Sequence, residues 1–263
     1  MQPSSLNDSL TIIIITSPVP SQPSTELIDR LVYSLRLLVH GPDEGRKISV
    51  LIVCDGVRPG SKKTKRQAEL SDERRIAAYD QYKEKLVQRW GSTCLLCGCR
   101  CSCGARSSNG GAVAQMPALA ALDVQVTQLD GWHGFGLGLR HALTLVRTPH
   151  AMVLPHDMEF TVSANLPELC AILAEHGNGV EYIGFANPCN LSYPDRVRQK
   201  SGVALLPSAF GATHTPLLPL WRWKENPHIA NVAQYAEVVF GPKVRRESCV
   251  HTHMLMLRCS SHL

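Results

Sequence analysis

The stretch Leu10-Thr11-Ile12-Ile13-Ile14-Ile15-Thr16, LTIIIIT, decides the fold class. β-Branched side chains suit a pleated, covered surface, and a short apolar run bounded by turn residues reads as a strand buried on both faces. Ser17-Pro18-Val19-Pro20 ends it, because proline cannot extend a hydrogen-bonded ladder. Ser24 then caps a helix with Glu26 in its first turn, and Leu27, Ile28, Leu31, Val32, Leu35 and Leu38 recur at helical spacing. Ile48 to Val53 is a second buried strand running into Cys54-Asp55-Gly56. Strand, helix and strand within about 45 residues form the βαβ unit of a parallel sheet.

Outward from this unit the alternation continues. A polar segment with Lys62, Lys63, Lys65 and Arg66 leads to a helix begun by Ser71, whose stripe of Ile76, Tyr79, Tyr82, Leu86 and Trp90 reads as core packing. Val124 to Leu129 is a third strand, followed by Gly131, Gly134, Gly136 and Gly138 and a helix to Val146. Ala151 to Leu154 is a fourth strand, ending in Pro155-His156-Asp157-Met158-Glu159-Phe160. Asn165 with Glu168 three residues on caps a helix that stops near Gly177. Tyr182 to Ala186 is a fifth strand, Val203 to Leu206 a candidate for another, and Asn226-Pro227 opens a last helix ending near Gly241. The order predicts an α/β fold, a three-layer sandwich around a mostly parallel sheet.

With 263 residues, 44% hydrophobic and 19% charged, the chain has the composition of a globular protein and is expected to form a single domain over residues 1–263. Two segments stand apart. Residues 91–111 are rich in Cys, Gly, Ser and Arg and read as a low-complexity insertion; residues 243–263 show no periodicity and read as an irregular tail. Five of the ten cysteines, Cys94, Cys97, Cys99, Cys101 and Cys103, fall in the insertion, where only one C-x-x-C occurs, so a flexible insert is preferred to a zinc site. The other five are scattered and give no disulfide framework. A net charge of +5 is too small to imply nucleic acid. No apolar run reaches the roughly 20 residues of a membrane span, and residues 1–10 lack a signal-peptide pattern, so no membrane span and a cytoplasmic location are expected.

In open α/β sheets ligands bind beyond the carboxyl ends of the strands. That rule selects Thr16 and Ser17 after the first strand, Asp55 after the second, and Asp157 with Glu159 after the fourth. Asp157 and Glu159, two residues apart, can both turn toward one hard cation, Mg²⁺ or Mn²⁺, which neutralises a departing diphosphate. Asp55 either accepts a hydrogen bond from a nucleobase or ribose, or is simply the first residue of an Asp-Gly turn. The glycines from Gly134 to Gly138 open a helix after a strand, and Asp157 lies 21 residues beyond Gly136. That keeps an NAD(P)-dependent oxidoreductase as an alternative, although G-x-G-x-x-G is not met; the simpler reading is close helix–sheet packing. His228, read in the first turn of the last helix, is held neutral by the helix dipole and could ligate a metal or merely sit near the cap.

Taken in order, LTIIIITSPVP, VLIVCDG, GWHGFGLGLRHAL and AMVLPHDMEF resemble the nucleotide-sugar glycosyltransferases of the family-2 type, which have a GT-A, Rossmann-like nucleotide-binding fold. The resemblance spans residues 10–240 without the insertion, and WRWKENPHIANVAQYAEVVF looks like an acceptor-side region. It implies that Asp55 contacts the base, that Thr16 and Ser17 touch the nucleoside, and that Asp157 and Glu159 stand for the D-x-D carboxylates as D-x-E. It further implies a nucleotide-diphosphate sugar as donor, a hydroxyl-bearing acceptor, a divalent cation and inversion at the anomeric carbon. The family's general base has two candidates here, Glu225 and Glu247, with Glu225 preferred. The acidic pair expected near the C-terminus is absent, which leaves a catalytically inactive, glycosyltransferase-like binding protein as a further alternative.

Overall fold

All seven residues of β1 (Leu10–Thr16) are buried, as an unbroken β-branched run requires. The computed structural model describes residues 6–19, 21–38, 48–57, 72–90, 122–175, 180–185, 192–220, 227–241 and 254–257. The lysine-bearing segment 58–71, the cysteine-rich insertion and Glu225 lie outside them. Two compact units interleave along the chain: one holds Ile12–Leu145 and Pro155–Thr161, the other Met1–Thr11, Val146–Leu154 and Val162–Leu263.

The first unit is the predicted βαβ region. Its strands lie in the order β3-β2-β1, and β2 (Ile48–Cys54) runs parallel to β3 (Leu122–Gln128), with Ile48 opposite Leu122 and Cys54 opposite Gln128. Helix α2 (Glu26–Ser34) buries Ile28, Leu31 and Val32 and tightens into a 3₁₀ turn, Leu35–Leu37. Helix α3 (Asp72–Trp90) packs on β3, and α4 (Gly134–Leu145) on β2. Tyr79, Tyr82 and Leu86 of α3 are buried as the stripe implied, whereas Ile76 is 43% exposed.

The tyrosines do more than fill space. Tyr79 Oη donates to the Asp55 carbonyl at 2.6 Å, and Tyr82 Oη and Thr16 Oγ1 share a hydrogen bond of 2.9 Å. These buried phenols satisfy polar groups where β1 and β2 end, which is where a parallel sheet leaves them without ladder partners. Asp29 ties α2 to α3, accepting from Arg89 Nε at 2.8 Å and Trp90 Nε1 at 2.9 Å.

The second unit contains α1 (Leu6–Ser9), β4 (His150–Pro155), α5 (Leu166–Ala174), β5 (Tyr182–Phe185), α6 (Tyr193–Ser201), β6 (Ser208–Phe210), β7 (Thr215–Leu220), β8 (His228–Asn231), α7 (Val232–Phe240) and β9 (Met254–Leu257). Its strands lie in the order β4-β8-β5-β9-β7-β6. β8 is antiparallel to both β4 and β5, and β9 is parallel to β5 and antiparallel to β7. Asn165 caps α5 as expected, accepting from the Glu168 amide at 3.3 Å.

Three readings change in this unit. The last helix does not begin at Asn226-Pro227: His228–Asn231 is a strand, and Asn231 is the cap, accepting from the amides of Ala233 and Gln234. Val203–Leu206 is not a strand; the hairpin β6–β7 follows it, and Leu206 is 73% exposed. The C-terminal region read as irregular supplies β9. No helix of the described residues is long and apolar enough to cross a membrane.

Candidate functional site

The site lies in the first unit, where β1 and β2 end. The Asp55 amide donates to the Thr16 carbonyl at 2.9 Å, and the Asp55 side chain is 2% exposed. A buried carboxylate needs donors. Asp55 finds them in the turn before α4: Oδ1 accepts from the His133 amide at 2.8 Å and Oδ2 from the Gly134 amide at 2.9 Å. The carboxylate thus serves the free N–H groups and positive dipole end at the start of α4.

Gly56 completes the clamp. Its amide donates to the Gly131 carbonyl at 3.1 Å, and a Cβ at this position would overlap the backbone of Gly131 and Trp132. Gly134 has φ +73°, a left-handed conformation that glycine adopts without penalty. The other glycines of the run are not there for tight packing. A Cβ on Gly136 would meet nothing within 4 Å, and one on Gly138 would reach Leu129 at an ordinary 3.6 Å.

A cavity of 170 Å³ opens at this edge, lined by Ile15, Ser17, Asp55, Phe135, Pro155, His156 and Asp157. His156 is held in place by Nδ1, which donates to the Ile15 carbonyl at 3.3 Å. One residue before Asp55, burial pushes the Cys54 thiol up to about 12, so it stays protonated at neutral pH.

The acid-x-acid pair divides. Asp157 faces the cavity, whereas Glu159 turns to α2, where Arg30 Nη2 donates to Oε1 at 2.6 Å and Nε to Oε2 at 3.2 Å. This hydrogen-bonded fork holds the Glu159 carboxyl below its usual range and raises the Arg30 guanidinium. One residue on, the Phe160 amide donates to Ser34 Oγ at 3.0 Å, so residues 159–160 are moored to α2 at two points. Among the described residues no group of three or more His, Cys, Asp or Glu side chains could hold a metal ion. A hard cation can still be held by one or two carboxylates plus substrate phosphates; of the two carboxylates on the cavity wall, Asp55 accepts from the His133 and Gly134 amides, and Asp157 is the other.

Of the other sequence candidates, Ser17 and Asp55 line the cavity, while the Thr16 side chain is buried against Tyr82. His228 belongs to the other unit and is not at a helix start. It is 1% exposed in β8, stacks on Tyr182 at 4.5 Å between ring centroids, and its Nε2 shares a 2.9 Å hydrogen bond with Tyr235 Oη. Three residues were not singled out by the sequence reading: Phe135, His156 and Arg30. Phe135 sits inside the glycine run and His156 beside Asp157, so proximity to a motif was their only sequence signal.

No protein-family model and no curated protein matches this chain. The solved structures similar to it include GT-A-type glycosyltransferases. Staphylococcus aureus TarS residues 1–349 aligns over 96% of this chain at 12% identity with a TM-score of 0.43, and the same protein has been solved with UDP-GlcNAc. GalNAc-T7 with UDP, GalNAc and Mn²⁺ aligns over 95% at 8% identity with a TM-score of 0.48. A mannosyltransferase from Pyrobaculum calidifontis, in complex with GDP-Man and Mn²⁺, aligns over 70% at 12% identity with a TM-score of 0.35. The chain covers 58%, 42% and 37% of these three structures, about half of their length or less.

Proposed function

We propose that this chain binds a nucleotide-diphosphate sugar in the cavity beside Asp55 and Asp157 and transfers the sugar to an acceptor hydroxyl. The observation that carries the reading is the convergence of Ser17, Asp55 and Asp157 on one cavity where β1 and β2 end. These residues come from three distant stretches of chain, and each follows a strand, as ligand sites of α/β sheets require. The order of the four motifs that resemble family-2 glycosyltransferases supports the same reading.

In this reading Ser17 and Asp55 border the nucleoside and Asp157 holds Mn²⁺ or Mg²⁺. The cation supplies Lewis-acid stabilisation of the leaving diphosphate. Glu159 joins it only by leaving Arg30. The acceptor oxygen attacks the anomeric carbon as the bond to the diphosphate breaks, which inverts that centre, and the hydroxyl proton passes to a general base. Glu225 is our candidate for the base, on sequence alone. A cavity of 170 Å³ is smaller than the pockets that enclose whole ligands, and suits one ring of the donor.

The test is calorimetry with UDP- and GDP-sugars, with and without Mn²⁺. Micromolar to millimolar binding that Asp157→Ala weakens at least tenfold is expected. Absence of binding by the unsubstituted chain, or unchanged binding by Asp157→Ala, rejects the reading.

A further inference from the structure

We infer that Phe135 is the wall on which the planar base of the nucleotide stacks, and that Asp55 acts by fixing Phe135 in place. The inference rests on the nucleotide-sugar reading and adds to it a residue that binds and one that positions.

Phe135 lines the cavity together with the polar residues Ser17, His156 and Asp157. A cavity of this size, lined by the aromatic residues Phe135 and His156 with Ser17 and Asp157 as further hydrogen-bonding groups, suits a planar heteroaromatic base. Phe135 is 39% exposed. Single exposed apolar residues are ordinary, but Trp132 at 47% and Leu137 at 53% flank it, so three large apolar side chains stand open within six residues. Folding gains nothing from leaving them there.

The backbone that carries the ring is also held in position before any ligand arrives. The two residues before Phe135 give their amides to Asp55, and Gly131 is bound to the Gly56 amide. Gly134 turns the chain with a positive φ immediately before the ring, and the Trp132 ring lies 3.5 Å from where its Cβ would be. A preorganised aromatic surface loses little entropy on binding. Each Asp55 oxygen accepts one amide in this clamp, so the residue fixes the turn before Phe135 independently of any contact of its own with the base. Every base has a π-face, and stacking of this kind adds affinity while discriminating weakly between bases.

The test measures binding of UDP, GDP, ribose 5-phosphate and inorganic pyrophosphate, all with Mn²⁺, to the unsubstituted chain, Phe135→Ala, Phe135→Tyr, Asp55→Asn and the Phe135→Ala/Asp55→Asn double variant. Phe135→Ala is expected to weaken UDP and GDP roughly 5- to 150-fold. It leaves ribose 5-phosphate and pyrophosphate within twofold, and Phe135→Tyr restores the nucleotides. Asp55→Asn weakens the nucleotides in the same base-dependent way, and the double variant is little worse than Phe135→Ala alone. Equal loss for pyrophosphate and UDP, or no loss for either, overturns the stacking role. Additive losses in the double variant overturn the positioning role. Binding of UDP or GDP by the unsubstituted chain with any of these results leaves the nucleotide reading standing. Failure of that chain to bind either nucleotide rejects both.

Discussion

At Asp157 and Glu159 one short motif carries two different environments. Asp157 lines the cavity, and Glu159 is taken up by the Arg30 fork. The carboxylates are therefore unequal, and Asp157→Asn should remove Mn²⁺-dependent UDP binding while Glu159→Gln lowers it no more than a few-fold. Titration of Mn²⁺ into each variant with UDP present checks this, and equal losses would restore a symmetric pair. Gly56 permits a sharper statement still. A methyl group there would press on the Gly131–Trp132 backbone, so Gly56→Ala should cost about 1–3 kcal/mol of stability and weaken nucleotide binding together. A urea midpoint unchanged from that of the unsubstituted chain would contradict it. Gly136→Ala, with open space around its Cβ, is the matched control.

At the level of elements, a local cap signal places the start of α2 to within a residue, its N-cap being Thr25 rather than Ser24, and that of α5 on the residue. Asn165 is legible as a cap because Glu168 follows it at capping-box spacing; the Glu168 amide donates to Asn165 Oδ1, while the Glu168 carboxylate accepts from Thr213 instead of closing the box. Asn226-Pro227 offered an equally good signal and was misleading. Asn231 is the residue whose side chain takes the free amides of α7, and the intervening His228–Asn231 is drawn into a strand by β4 and β5 on either side. Tertiary pairing here overrides a local start signal. Asn231→Ala should cost about 1 kcal/mol through loss of that cap, whereas Asn226→Ala should not destabilise α7; thermal melts of the two distinguish them. Helix α3 shows the converse. Its tyrosines were legible as a buried stripe, but their hydroxyls decide how α3 meets the strand ends. Tyr79→Phe leaves the buried Asp55 carbonyl without its donor and should cost about 1–3 kcal/mol, measured by denaturant unfolding.

At the scale of the whole molecule the pH dependence of folding has a named source in His150. It is 3% exposed, and because a carbonyl only accepts, Nδ1–H must donate to the Ser9 carbonyl at 3.1 Å. That leaves Nε2 bare and buried without a partner among the described residues. Burial therefore lowers the His150 pKa from 6.5. The unfolded chain takes up the proton first, so this contribution to stability is complete above 6.5 and is lost as pH falls from there toward the lower folded value. The slope in that window is at most about 1.4 kcal/mol per pH unit. His150→Asn keeps an N–H for Ser9 and removes the titration. Its unfolding midpoint should change less than that of the unsubstituted chain between pH 7.5 and 5 (~2.5 pH units), and parallel curves for the two would refute the assignment.

The sequence by itself determined the α/β class, the first βαβ unit, and which residues stand at strand ends: Ser17, Asp55 and Asp157. Hydrophobic periodicity is a local property, and the end of a buried strand is marked by the first polar residue after it. Only the tertiary structure decided the partners of those residues. That Asp55 clamps the turn before Phe135, that Glu159 belongs to Arg30, and that His228 stacks on Tyr182 all join segments between 46 and 129 residues apart. A hydrogen bond or ring contact across such a distance is set by how strands are ordered in a sheet, and no local pattern encodes that order.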